Sequence, residues 1–138
     1  MTPAITLETT RTGGCACGGL TFRATGEPKR VGLCHCMTCR KTSGSAFMAF
    51  VIYPADRVTI TGRRQGWSAT PATERFFCPV CGSQVFDRDR QGEDEIEILL
   101  GAFDAPNLFA PAYEAFAKHR ESWLCTNNLT RFSENREE

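Results

Sequence analysis

The sequence predicts a mostly β domain drawn together by metal-binding cysteines, and three observations predict it. Short alternating or β-branched apolar segments recur along the chain. Turn signals rich in glycine, proline and polar residues separate them. Eight cysteines, most of them in tight clusters, fall within 138 residues.

The elements follow in order. Leu20-Thr21-Phe22-Arg23 alternates, and Thr25-Gly26-Glu27-Pro28 turns the chain after it. Residues 37–42 suit a short helical turn. Residues 46–53 form a longer aromatic and β-branched run, expected as a buried strand. Val58-Thr59-Ile60-Thr61 alternates again before the turn Thr61-Gly62-Arg63-Arg64, whose arginines are expected at the surface. Phe76-Phe77, residues 84–86 and residues 95–100 add strands, divided by Cys81-Gly82-Ser83 and Arg90-Gln91-Gly92-Glu93. Alanine content makes residues 112–119 a helix candidate, and the charged residues 133–138 are expected to fray. No repeat or linker divides the chain, so one domain over 1–138 is expected, with an ordered core over about 11–132.

Composition narrows the function. Sixteen basic residues balance sixteen acidic ones, which argues against a nucleic-acid-binding surface. The first fourteen residues carry no apolar run, so neither a secretory signal nor a membrane span is expected, and a cytoplasmic location follows. Cys15/Cys17, Cys34/Cys36/Cys39 and Cys78/Cys81 are tight clusters whose members do not readily meet disulfide geometry with one another. One cation gathering several thiolates is the better reading.

Two sites emerge. In an extended segment Cys15 and Cys17 face one side, and Cys78-Pro79-Val80-Cys81-Gly82 has the form of a zinc knuckle with Gly82 free to take a positive φ. Together the two pairs make a closed tetrathiolate. The bland alternative is four unrelated buried cysteines. Iron suits the same ligands, but zinc is the default inside cells.

Cys34-His35-Cys36-Met37-Thr38-Cys39 brings only three thiolates together, and a zinc with three protein ligands keeps a position for water or substrate. His35 points to the opposite face of an extended segment and reads as a packed imidazole, with ligation the alternative. Cys125, after Trp123-Leu124, reads as a buried thiol, with a distant fourth ligand as the alternative. Arg40-Lys41 either offsets the thiolate charge and attracts an anionic ligand, or is a solvated pair.

These motifs resemble the glutathione-dependent formaldehyde-activating enzyme (GFA, or CENP-V/GFA domain) family. The resemblance runs from Gly13-Gly14-Cys15-Ala16-Cys17-Gly18, through Cys34-His35-Cys36-Met37-Thr38-Cys39-Arg40-Lys41-Thr42-Ser43-Gly44-Ser45-Ala46-Phe47, to Phe77-Cys78-Pro79-Val80-Cys81-Gly82-Ser83, with a weaker echo at Trp123-Leu124 and Leu129-Thr130-Arg131-Phe132. It implies an Mss4-like, β-tent fold of short twisted sheets around zinc. It implies a structural zinc on Cys15, Cys17, Cys78 and Cys81, and a second on Cys34, Cys36 and Cys39 whose free position meets the glutathione sulfur. It also implies a strand where residues 112–120 read as helix by composition. The implied reaction joins glutathione to formaldehyde as S-hydroxymethylglutathione, a carbon–sulfur lyase equilibrium. The rival is a non-catalytic carrier of glutathione or another thiol, or a zinc-stabilised interaction module.

Overall fold

The structure is a computed structural model that describes residues 8–136 except 91, 93 and 127. The N-terminal residues 1–7 and part of the 90–93 turn lie outside the described residues. The chain runs β1 (Thr10–Gly14), β2 (Leu20–Thr25), β3 (Arg30–Cys34), α1 (Met37–Ser43), β4 (Met48–Pro54), β5 (Val58–Gly62) and β6 (Gln65–Thr70). It continues through β7 (Thr73–Phe77), β8 (Gln84–Asp89), β9 (Glu95–Leu99), β10 (Tyr113–Ala115) and β11 (Thr130–Arg131). Among these, β1-β2-β5 make a three-stranded antiparallel sheet, and the others line up as β11-β10-β3-β4-β9-β8-β7-β6.

Alternation along the strands gives the large sheet two unlike faces. Val31, Val51, Tyr53, Ile96 and Ile98 face the small sheet and pack with Leu20, Phe22 and Ala24. Leu20, Val51 and Ile98 are fully enclosed, each contributing about 2 kcal/mol of burial. Phe22 meets Phe103 edge to face at 5.0 Å, and Phe76 stacks on Phe86 at 4.7 Å. The opposite face carries a smaller cluster of Cys34, Cys39, Met48, Phe50 and Ile52, and beside it a row of charged residues.

A β-bulge matters for that second face. Phe76 pairs with Phe86 but Phe77 pairs with Gln84, so Val85 is the extra residue. Val85 and Phe86 are therefore both buried in the core, while Gln84 shares a face with Asp87 and donates to it at 3.0 Å.

Two expectations are corrected. Residues 112–119 are not a helix. Tyr113–Ala115 is a strand lying parallel to both β3 and β11, and Ala117–His119 is a single 3-10 turn. The alanines lose to tertiary pairing, which satisfies the backbone while burying Glu114 and Ala115. The tail does not fray at once: Glu134 accepts from Phe116 N–H at 2.8 Å and pairs with Lys118. Residues 137–138 lie outside the described residues.

Candidate metal centres and their pocket

The closed cluster is built from two turns, not from an extended pair. β1 ends at Gly14, and Cys15 opens a turn in which Leu20 N–H donates to Cys15 Sγ at 3.2 Å. Gly18 N–H reaches Cys15 O at 3.1 Å, and its φ of +80° suits a residue without Cβ. The second turn leaves β7: Gly82 N–H donates to Cys78 O at 2.8 Å, and Val80 N–H to Cys78 Sγ at 3.4 Å. Ser83 ties the two turns, accepting from Ala16 N–H at 3.1 Å and contacting Cys81 Sγ at 3.2 Å.

The four sulfurs lie within 4.8 Å of one another. Cys15 to Cys17 is 3.6 Å and Cys17 to Cys78 is 3.7 Å. A tetrahedron with metal–sulfur bonds of about 2.3 Å has edges of about 3.8 Å, so this donor set fits a dication. The eight cysteines carry no disulfide.

The second cluster joins the end of β3 to the start of α1. Cys34 closes the strand, and Cys36 N-caps the helix, its Sγ accepting from Cys39 N–H at 3.2 Å. Cys39, one helical turn on, brings its sulfur 3.3 Å from Cys34 Sγ. The three sulfurs again lie within metal-sharing range. Hydrogen bonds from Cys34 and then Cys39 favour the thiolate of Cys36, while sharing with Cys36 pushes Cys34 up. Thiols that compete for one negative charge suit a cation that would deprotonate all three.

The second cluster opens with all three cysteines into a charged pocket, whereas of the first cluster Cys15 alone borders a separate cavity among the described residues. A cavity of about 350 Å³ is lined by Cys34, Cys36 and Cys39 at one end. Its wall carries Arg75, Asp87, Glu97 and Arg30, placed by register: Arg75 opposes Asp87, Asp87 opposes Glu97, Glu97 opposes Ile52, and Ile52 opposes Arg30. Arg75 spans the gap between wall and sulfurs, with Nη1 3.4 Å from Asp87 Oδ2 and Nη2 3.6 Å from Cys39 Sγ. At the rim, Arg30 and Lys29 pair with Glu95 at 2.8 and 2.6 Å. Burial pushes the Glu95 carboxyl up, but these two cations outweigh it and hold it at about 2.

The family model of the glutathione-dependent formaldehyde-activating enzymes matches residues 10–119, which hold both clusters. The chain belongs to the GFA family. Over 74 residues it is 31% identical to an uncharacterized lyase of Schizosaccharomyces pombe, a match covering 54% of each chain. The match thus spans about half the length of that curated relative. A Rhodobacter sphaeroides protein of known crystal structure shares the fold, with a TM-score of 0.58 at 15% identity over 70% of this chain and 91% of that one.

Within this GFA chain, the structure gathers the seven expected ligand cysteines as two groups. His35 stands apart from both, fully buried against Glu114. Cys125 is corrected: it is an exposed thiol whose Sγ lies 3.8 Å from Trp123 O, and it joins neither group. Trp123 is itself 66% exposed, so the apolar neighbours that suggested burial form no core. Arg40 turns to Glu121 at 2.7 Å and to Ala46 O at 3.2 Å, and Lys41 is exposed. The guanidinium that reaches a sulfur is Arg75's.

Arg75, Asp87, Glu97 and Glu114 escaped the sequence reading. A signal existed in Glu95-Ile96-Glu97-Ile98, where strict alternation places carboxylates on one face of a strand whose other face is core. No helix of the described residues is long and apolar enough to cross a membrane.

Proposed function

We propose that this chain is a zinc-dependent carbon–sulfur lyase of GFA type. It makes and breaks the S-hydroxymethyl adduct of glutathione, or of a related thiol, at Cys34, Cys36 and Cys39. Family membership and the lyase name of the yeast relative support the reaction class. The observation that carries the location is the opening of the three-cysteine group, and not the four-cysteine group, into the charged pocket.

Bound there, zinc would act as a Lewis acid that keeps an incoming thiol deprotonated near neutral pH. The chain's own residues do the rest. Arg75 offsets the negative charge of the sulfurs and holds the Asp87 side of the wall in place. Arg30 and Arg75, which line the cavity, suit the carboxylates of glutathione. A cavity of about 350 Å³ is of the size that small-molecule sites take.

A carrier is the second reading, and a physical argument favours weighing it. Three thiolates already donate to the ion, and a stabilised thiolate loses nucleophilicity. NMR exchange between free and adducted glutathione separates the two. Faster exchange with wild-type protein and buffer-level exchange with Cys36→Ser supports the lyase. Saturable glutathione binding with unchanged exchange in both supports the carrier.

A further inference from the structure

The pocket wall holds two carboxyl groups that the cysteine chemistry does not use. Asp87, buried, and Glu97, half-buried, are direct cross-strand partners on β8 and β9, and both side chains line the cavity. Two carboxylates in contact inside a protein do not both ionise, so the pair keeps one proton.

The surroundings decide where it sits. Burial raises the Asp87 carboxyl as well, but it accepts from Gln84 Nε2 at 3.0 Å and faces Arg75 Nη1 at 3.4 Å, partners that favour its charge. Glu97 lies on the far side of Asp87 from Arg75. Its neighbour across β4 is Ile52, and Arg30 is one strand further on. Burial first, and then the charge of Asp87, raise Glu97 well above the usual carboxylate range, and Arg75 and Arg30 offset this only in part. Both line the cavity that ends at Cys34, Cys36 and Cys39, and Arg75 links Asp87 to Cys39.

We propose that the Asp87–Glu97 pair is the proton donor and acceptor for the adduct's oxygen, an inference that rests on the lyase reading above. In the forward direction the thiolate sulfur bonds to the formaldehyde carbon and the C=O π pair moves onto oxygen. The proton of the pair passes through Asp87, the member beside Arg75, to that oxygen while Glu97 gives its own to Asp87, giving the hydroxymethyl thioether and leaving both carboxylates charged. The proton that the thiol released to become thiolate, returned through solvent, restores the pair, so no other reactant is needed. In reverse the pair takes the hydroxyl proton, the C–S bond breaks with its electrons on sulfur, and formaldehyde leaves.

The test uses the metal-loaded full chain and the isosteric change Glu97→Gln. Infrared spectra at neutral pH are expected to show a protonated-carboxyl C=O band in wild type that disappears in Glu97→Gln. Exchange of the glutathione–formaldehyde adduct is expected to slow by roughly 100-fold in the variant, the usual scale of general acid–base catalysis, with metal content and glutathione binding retained. Should Glu97→Gln fail to keep its metal, Asp87→Asn is read instead, with the same slowing expected and a flattened pH profile. A wild-type spectrum without the band, or a variant exchanging as fast as wild type, overturns this inference alone. Wild-type exchange no faster than buffer overturns it together with the lyase reading.

Discussion

His35 Nε2 lies 2.9 Å from Glu114 Oε1, and neither side chain is exposed to solvent. His35 sits in sequence between two clustered cysteines, yet its ring turns away from their sulfurs. Glu114, on β10, draws it there and also accepts from Arg120 Nε at 3.0 Å, Thr126 Oγ1 at 2.8 Å and Arg131 Nε at 3.0 Å. A buried carboxylate needs such donors, and four of them clamp the C-terminal segment to the strand that ends in Cys34. The imidazole is thus a brace behind the three-cysteine group.

From this placement, His35→Ala is expected to lower stability by about 2–3 kcal/mol through lost packing and a lost charged hydrogen bond. Metal content per chain should equal that of wild type. Elemental analysis checks it, and loss of one metal would make His35 a ligand.

Glu114 predicts a pH signature. Burial raises its pKa, but hydrogen bonds from Thr126, His35, Arg131 and Arg120 outweigh this and hold it at about 2, below the ordinary 4.5. A depressed carboxyl stabilises the fold fully above its unfolded pKa, and that stability is lost as pH falls toward the folded value. The stability gap between wild type and Glu114→Gln should therefore be widest at neutral pH, roughly 3 kcal/mol, and narrow from about pH 4.5 toward pH 2. Both proteins share the same cysteines, so acid loss of metal affects them alike. Denaturant melts at several pH values give the gap, and a constant gap would contradict this account.

The two metal groups predict unequal losses. Cys39→Ser should leave one metal per chain and the core spectrum intact. Cys78→Ser should release the β1–β2 turn from the β7–β8 turn and unfold or aggregate the protein, because the four-cysteine group, with Ser83 beside it, joins those turns. Metal analysis with circular dichroism reads both, and simultaneous loss of both metals in Cys39→Ser would refute independent sites.

Gly62 ends β5 at φ +111°, and a methyl there would collide with the carbonyl oxygen of Gly19. Gly62→Ala should cost on the order of 2–3 kcal/mol. Gly101→Ala meets nothing within 4 Å and is expected within about 0.5 kcal/mol of wild type. Thermal melts of the two variants make the comparison.

By itself the sequence determined the cysteine groups and the β character, because both are local. Ligand spacing in Cys78-Pro79-Val80-Cys81 and alternation in Leu20-Thr21-Phe22-Arg23 need only a few neighbouring residues to be read. Helix propensity misled at residues 112–119, where pairing with β3 and β11 outweighs alanine content. Only the tertiary structure decided that Arg75, Asp87 and Glu97 share one wall, since three separate strands and a bulge at Val85 set that register. It alone also sent His35 to a carboxylate 79 residues away. A charge's partner and its desolvation depend on what the fold brings alongside, and no local pattern carries that information.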